Sequence, residues 1–273
     1  MNCDWEGLLS ILPMWLRREV DIRKQEQLQE IRLRSGEDTE LILKGKRVWL
    51  QHASRQQDLD YCINAVTRYS PWAAASSAQG YLTAPGGHRI GICGEAILKD
   101  GTIAGFRTVR SLCIRVARDV QGLIENTAGI TGSALIIGAP GWGKTTLLRE
   151  CIRKLSREKT VAVVDERGEL FPPGFSAGLQ TDILTGCPKA QGIIQLLKAM
   201  GAQVIAVDEI TAQEDCQALL RASCCGVELL ATAHAGSMEE LKSRPVYRPI
   251  LGIFQHILIL KADQTYQVER MVL

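Results

Sequence analysis

ALIIGAPGWGKTTLLRECIRKL, residues 134–155, is the stretch that decides the fold. Four apolar residues, Ala134 to Ile137, run into a glycine-rich turn, and TTLLRECIRKL then carries its apolar residues at helical spacing. Gly138 to Thr145 match G-x-x-x-x-G-K-[ST]. Gly138, Gly141 and Gly143 permit backbone angles that turn successive N–H groups inward as an anion nest. A helix beginning near Lys144 adds its positive dipole end. The stretch therefore predicts that Gly138, Ala139, Pro140, Gly141, Trp142, Gly143 and Thr146 line a phosphate cradle. Lys144 is expected to reach the β- and γ-phosphates of ATP, and the Thr145 hydroxyl to ligate Mg²⁺. The alternative is a plain glycine turn with a solvated lysine.

Working outward, the rest of the second half alternates short apolar runs with helical stretches. Ala134–Ile137, Thr160–Asp165, Val204–Asp208, Leu229–Thr232 and Ile257–Leu260 read as strands covered on both faces. That alternation implies a parallel sheet with helical crossovers. Val204-Ile-Ala-Val207 ends in Asp208-Glu209. Paired carboxylates at the end of a buried strand imply a cation or a task. Asp208 is expected to hold Mg²⁺ through its water shell, and Glu209 to polarise the water attacking the γ-phosphate.

Val161-Ala-Val-Val164 likewise ends in Asp165-Glu166, with Glu169 beyond. One reading makes Asp165 a metal ligand and sets Glu166 or Glu169 near the metal or the attacking water. The other, prompted by the intervening Arg167, is a solvent-facing ion-pair cluster. Leu229-Leu-Ala-Thr232 leads through Ala233 to His234, on a strand directed toward the sheet edge where ligands of parallel sheets bind. His234 is expected to sense the γ-phosphate or to brace Glu209.

The first half reads as a smaller α+β unit. Leu8, Leu9, Ile11, Leu12, Trp15 and Leu16 form an apolar stripe broken at Pro13. Gln29–Leu33 and Glu40–Leu50, with a Gly45 turn, suggest a hairpin. Leu59, Ile63, Val66 and Thr67 keep helical spacing, and residues 71–79 suggest a second helical piece. Tyr81 to Arg118 is strand-like, with turn signals at Pro85-Gly86-Gly87 and Lys99-Asp100-Gly101. The expected division is an α+β domain over 1–120, a linker over 121–132 and a RecA-like P-loop domain with a mainly parallel sheet over 133–273.

Composition narrows the function classes. The chain has 273 residues, 46% hydrophobic and 23% charged, with a formal net charge of +2. That is the profile of a globular protein and excludes collagen, coiled coil and disordered tail. Seventeen basic and 15 acidic residues precede Ile130, and 15 of each follow. Neither half is a polyelectrolyte, so no nucleic-acid partner is expected. No run approaches 18 apolar residues, and Asp4 and Glu6 stand where an export signal would be basic. The chain is expected to be cytoplasmic. Nine irregularly spaced cysteines without C-x-x-C predict reduced, mostly buried thiols. One local bias stands out: Gly101 to Arg118 has no acid but contains Arg107, Arg110, Arg115 and Arg118, with Arg89 upstream.

The order of the motifs resembles the secretion ATPase superfamily of type II and type IV secretion and pilus motors. Those proteins carry a Walker A loop, an Asp box, a Walker B strand ending in Glu and a His box in that order. DILTGCPKAQGIIQLLKAMGAQVIAVDEI, LLATAHAGSMEELKSRPV and GGHRIGICGEAILKDG are similar, more narrowly, to the stage III sporulation protein AA family. The resemblance runs over nearly the whole chain. It implies ATP hydrolysis by a hexameric ring beneath a membrane channel between mother cell and forespore, with membrane-embedded subunits as partners. By motif, Gly138 to Thr145 take the Walker A role, Asp165, Glu166 and Glu169 the Asp box, Asp208 and Glu209 Walker B, and His234 the His box. In related motors, arginines of the N-terminal domain reach the nucleotide. This implies that role for Arg89, Arg115 and Arg118, against the alternative of a solvated strand face or a surface for RNA, acidic lipid or a partner. Thr211 and Ala235 stand where the sporulation family tends to have glycine, and Asp208 where secretion motors commonly do. Two other functions fit the same motifs: a nucleotide-gated scaffold that barely turns over, and a nucleic-acid-dependent RecA-like ATPase.

Overall fold

The computed structural model describes residues 3–22, 27–68, 80–122, 131–172, 174–263 and 265–271. The chain packs as two units, Met1–Asp119 with Pro172–Phe175, and Val120–Phe171 with Ser176–Leu273. The expected helical piece over 71–79 and the middle of the expected linker, 123–130, lie outside the described residues.

The first unit is built on an antiparallel sheet. Its strands are β1 (Leu28–Arg34), β2 (Asp38–Leu43), β3 (Lys46–Ala53), β4 (Tyr81–Thr83), β5 (Arg89–Lys99) and β6 (Thr102–Arg115), in the order β3-β2-β1-β6-β5-β4. Gly45, at φ 77°, turns β2 into β3. The expected hairpin is thus one part of a three-stranded meander. At the other end, Asp100 (φ 52°) and Gly101 (φ 77°) form the two-residue turn between Lys99 and Thr102, the left-handed pair that matches strand twist. Pro13 separates helices α1 (Trp5–Ser10) and α2 (Met14–Ile22), and α3 (Gln56–Thr67) follows β3. Leu8, Leu12 and Leu16 pack with Ile31, Leu41, Leu59 and Ile114 in one core.

His88 is fully buried within this unit. Its Nδ1 accepts from the Ala117 amide at 3.0 Å, and its Nε2 lies 2.9 Å from the Asp4 carbonyl. Burial pulls its pKa below the ordinary value. Pro172–Phe175 belong to this unit because Gly87 (φ 75°) leaves room for them: a Cβ there would sit 2.3 Å from Cγ of Pro172.

The second unit holds β7 (Ala134–Gly138), β8 (Val161–Asp165), β9 (Thr181–Thr185), β10 (Val204–Val207), β11 (Glu228–His234), β12 (His256–Leu260) and β13 (Tyr266–Arg270). Their order is β13-β12-β7-β11-β10-β8-β9, parallel throughout except for β12 with β13. Helices α4 (Lys144–Leu155), α5 (Lys189–Ala199) and α6 (Gln213–Cys224) supply crossovers, and the short α7 (Met238–Ser243) follows β11. The fold is the expected mixed α/β class, with a parallel-rich sheet in the second unit and a smaller α+β first unit. Every residue of β7, β8 and β10 is buried, which is why those strands read as unbroken apolar runs.

One side chain of α4 gathers several segments of the second unit. Arg153 donates from Nε to the Ser176 carbonyl (2.7 Å) and from Nη1 to Glu150 (2.7 Å), and its guanidinium lies 5.7 Å from the Phe171 ring. Glu150 in turn accepts the Gly122 amide at 2.8 Å.

The cysteines are free thiols, as expected, but fewer of them are buried than expected. Cys62, Cys151 and Cys216 are buried, and burial pushes their thiols up to about 12, 12 and 11. Cys93, Cys224 and Cys225 are exposed. Cys224 ends α6 and Cys225 caps it, past the face that packs. Among the described residues, no helix is long and apolar enough to cross a membrane.

Candidate nucleotide site

The glycine loop leaves β7 and enters α4 as the sequence pattern requires. Gly141 (φ 79°) and Gly143 (φ 99°) take left-handed angles that side chains rarely adopt. Gly138 has another reason to be glycine, since a Cβ there would meet Leu260 at 3.0 Å. Ala139 accepts from the Trp142 amide (3.3 Å), while Pro140 and Gly141 are exposed at the tip. Thr145 and Thr146 sit half-buried in the first turn of α4.

Lys144 is 7% exposed. Its Nζ donates to the carbonyls of Gly138 (2.9 Å) and Ala139 (3.1 Å) and lies 3.0 Å from His234 Nδ1. Burial pulls the ammonium pKa down, and Asp208 and Glu209 pull it back up. A charged Lys144 makes His234 Nδ1 an acceptor, so the ring proton sits on Nε2 and is donated to Glu209 Oε1 at 2.9 Å. β11 pairs with β7 so that His234 lies beside Gly138. The result is a continuous path, Lys144–His234–Glu209, across the ends of three neighbouring strands. His234 both braces Glu209 and touches the loop lysine.

Asp208 closes the other half. Its Oδ2 accepts the Thr145 hydroxyl at 2.8 Å and its Oδ1 accepts the Thr232 hydroxyl at 2.5 Å. Glu209 holds φ at 57°, a left-handed angle without glycine. Such a conformation costs on the order of 1–3 kcal/mol and marks sites where surrounding structure imposes it. Here the imposing bonds are the Glu209 amide to the Thr232 hydroxyl (2.7 Å) and the Ile210 amide to the Thr232 carbonyl (2.9 Å). Arg167 approaches the outer carboxylate oxygen of Glu209 at 3.5 Å. The chain after Glu209 is held in turn: the Thr211 and Ala212 amides donate to Asp215, and the Tyr247 hydroxyl donates to the Ile210 carbonyl.

The residues after β8 are placed differently. Asp165 is 4% exposed, and its two carboxylate oxygens accept the amides of Glu169 (2.9 Å), Leu170 (2.8 Å) and Phe171 (3.1 Å). Asp165, expected as a metal ligand, holds the 166–171 loop through these three bonds. Glu166 pairs with Lys189 at 2.5 Å, at the start of α5. The Glu169 carbonyl accepts from Arg149, whose Nε also donates to the Leu170 carbonyl.

The arginines have partners in their own sheet. Arg89 lies over the Tyr81 ring at 3.8 Å, Arg115 is 3.7 Å from Glu30, and Arg118 donates to the Leu28 carbonyl at 2.7 Å.

Two residues of the site escaped the sequence reading. Thr232 was legible as the one hydroxyl in the buried run LLATA, although its partners lie more than twenty residues away. Arg167 carried no signal beyond its charge.

A parallel-rich α/β sheet with a glycine loop, a buried lysine and an Asp-Glu strand end meeting at one edge matches the fold of secretion ATPases. The ATPase DotB of Legionella pneumophila superposes with a TM-score of 0.62 at 19% identity, covering 95% of this chain and 80% of that one. The pilus retraction motor PilT with bound ADP superposes with a TM-score of 0.65 at 15% identity, covering 88% and 76%. The family described as sporulation stage III, protein AA, matches residues 5–269, and the chain belongs to it. Stage III sporulation protein AA of Bacillus subtilis (strain 168) is 33% identical over 258 residues, 87% of this chain and 84% of that protein. A protein called ycf45 from Porphyra purpurea is 28% identical over 94% of this chain, which spans 45% of its length.

Proposed function

We propose that this protein binds Mg·ATP at Gly138–Thr146 and hydrolyses it as a ring-forming motor ATPase of a sporulation channel. The observation that carries the reading is the meeting of Lys144, His234, Glu209, Asp208 and Thr145 in one hydrogen-bonded set at the ends of β7, β11 and β10. Lys144 binds the β- and γ-phosphates, leaving the Gly138 and Ala139 carbonyls it now holds. Glu209 orients the attacking water and takes its proton, with the His234 Nε2 proton fixing the carboxylate's direction. No covalent intermediate is needed.

The chain's own residues fit Mg²⁺ that arrives with nucleotide. Thr145 and Asp208 offer a hydroxyl and a carboxylate 2.8 Å apart. Among the described residues, no group of three or more His, Cys, Asp or Glu could hold a metal alone. Mg²⁺ takes one or two protein oxygens and completes its shell with phosphates and water. The ion would neutralise charge developing on the phosphates. Arg89, Arg115 and Arg118 are proposed to contact the nucleotide, as the resemblance to the motor ATPases implies. Membership of the sporulation family and the motor-like fold support a hexamer, membrane-embedded partners and a mother-cell position beneath the channel.

Steady-state ATPase assays of wild type, Lys144→Ala and Glu209→Gln test the reading. Both variants should fall at least about 100-fold, Lys144→Ala with weakened nucleotide binding and Glu209→Gln with binding retained. Equal rates in all three proteins would overturn hydrolysis at this site.

A further inference from the structure

We propose that Thr232 is a positioning residue that sets the geometry of both acids at the end of β10. The proposal rests on the nucleotide-site reading and adds to it a residue in the middle of a buried strand.

Thr232 is fully buried, within the run of β11 buried from Leu229 to Ala233. A polar side chain there needs partners, and it has them on three consecutive residues of the neighbouring segment. Its hydroxyl donates to Asp208 Oδ1 (2.5 Å) and accepts the Glu209 amide (2.7 Å), and its carbonyl accepts the Ile210 amide (2.9 Å). One donor and one acceptor contact are what a hydroxyl can satisfy together. The two side-chain bonds have opposite polarity, so valine, although the same size, replaces neither.

The consequence is directional. The register of β10 with β11 runs straight, Val204 beside Glu228 through Val207 beside Ala231. Past Val207 the chain turns, and Glu209 takes its left-handed angle. That turn presents Asp208 to Thr145 and Glu209 to His234. The amide bond from Glu209 to Thr232 falls inside the turn and holds the strained residue directly. Without the hydroxyl, the Glu209 amide and one Asp208 oxygen lose this shared partner, and the turn is free to relax.

Thr232→Val and Thr232→Ser separate positioning from packing. Valine keeps the volume and loses the hydroxyl, whereas serine keeps the hydroxyl and loses a methyl. For Thr232→Val, kcat for ATP should fall about 30-fold or more with KM within about 3-fold of wild type, and Thr232→Ser should recover most of the loss. The second readout needs no turnover. In nucleotide-free protein, amide exchange at Glu209 should accelerate about 10-fold or more in Thr232→Val, with the exchange of β7 and β8 unchanged. Wild-type turnover and Glu209 protection in Thr232→Val would overturn the proposal. So would equal damage in both variants, which would make the fit of the whole side chain, rather than its hydroxyl, the important feature. If wild type and Glu209→Gln hydrolyse ATP equally, the nucleotide reading falls, and amide exchange still decides the role of Thr232.

Discussion

β8 and β10 lie side by side in one parallel sheet, in register from Val161 beside Val204 to Val164 beside Val207, and each runs out into Asp-Glu. After β10, Asp208 takes two hydroxyl partners and Glu209 one imidazole and one distant guanidinium. Side-chain partners of that kind can rotate or swing away when a ligand arrives. After β8, Asp165 takes three backbone amides and Glu166 a nearly buried lysine. A carboxylate bound to amides cannot change partners without unfolding its loop. The same dipeptide at the same edge is therefore held by side chains on one strand and mainly by backbone amides on the next.

The largest test of that contrast is turnover. Glu209→Gln should lower ATP hydrolysis about 100- to 1000-fold, on the order of 3–4 kcal/mol of barrier. Glu166→Gln should stay within about 3-fold, and a comparable loss there would return the β8 acids to the reaction. Stability should show the reverse. Asp165→Asn turns an NH₂ toward an amide N–H and should cost about 2–3 kcal/mol, read as a melting temperature lower by roughly 5–10 °C. Asp208→Asn should leave melting nearly unchanged, because its hydroxyl partners can reorient. If the two variants melt alike, the contrast fails.

These expectations show what could be read in advance. ALII, VAVV and VIAV announce strands because both faces of each are covered. β9, TDILT, does not, since it is the sheet edge and no residue in it is buried. β13, YQVER, is hidden for the same reason. The glycine loop was legible because its angles, lysine and hydroxyl are fixed by local spacing. The fate of Asp165 was not, because it depends on how the 166–171 backbone folds back. The pairing of Arg167 with Glu209 joins segments 42 residues apart and left no mark in either.

A smaller effect extends the contrast to the first unit, where His88 is committed to backbone as Asp165 is. Its folded pKa lies below the unfolded one, so the unfolded chain binds the extra proton. Stability is then fully present above the unfolded value of about 6.5 and is lost as pH falls toward the folded pKa. Melting temperature should drop from pH 7 to pH 5, and His88→Gln should flatten part of that slope. A slope unaltered by the substitution would place the titration elsewhere. The smallest effect is expected from Glu166→Gln in a melting experiment, about 1 kcal/mol or less, because Glu166 is partly exposed. A cost as large as that of Asp165→Asn would make the ion pair, rather than the amide bonds, the mainstay of the β8 end.

The four residues Pro172–Phe175 bear on how this chain can be taken apart or inherited. They leave one unit after Phe171, pack in the other, and return at Ser176, and both departure and return lie against Arg153. A cut at Asp119 therefore yields an N-terminal fragment missing part of itself, with the space above Gly87 unfilled. Neither half is a cassette that can be exchanged with a relative by joining sequences at one boundary. A working chimera needs three seams, after Asp119, Phe171 and Phe175, and the last two fall just beyond the loop that Asp165 folds.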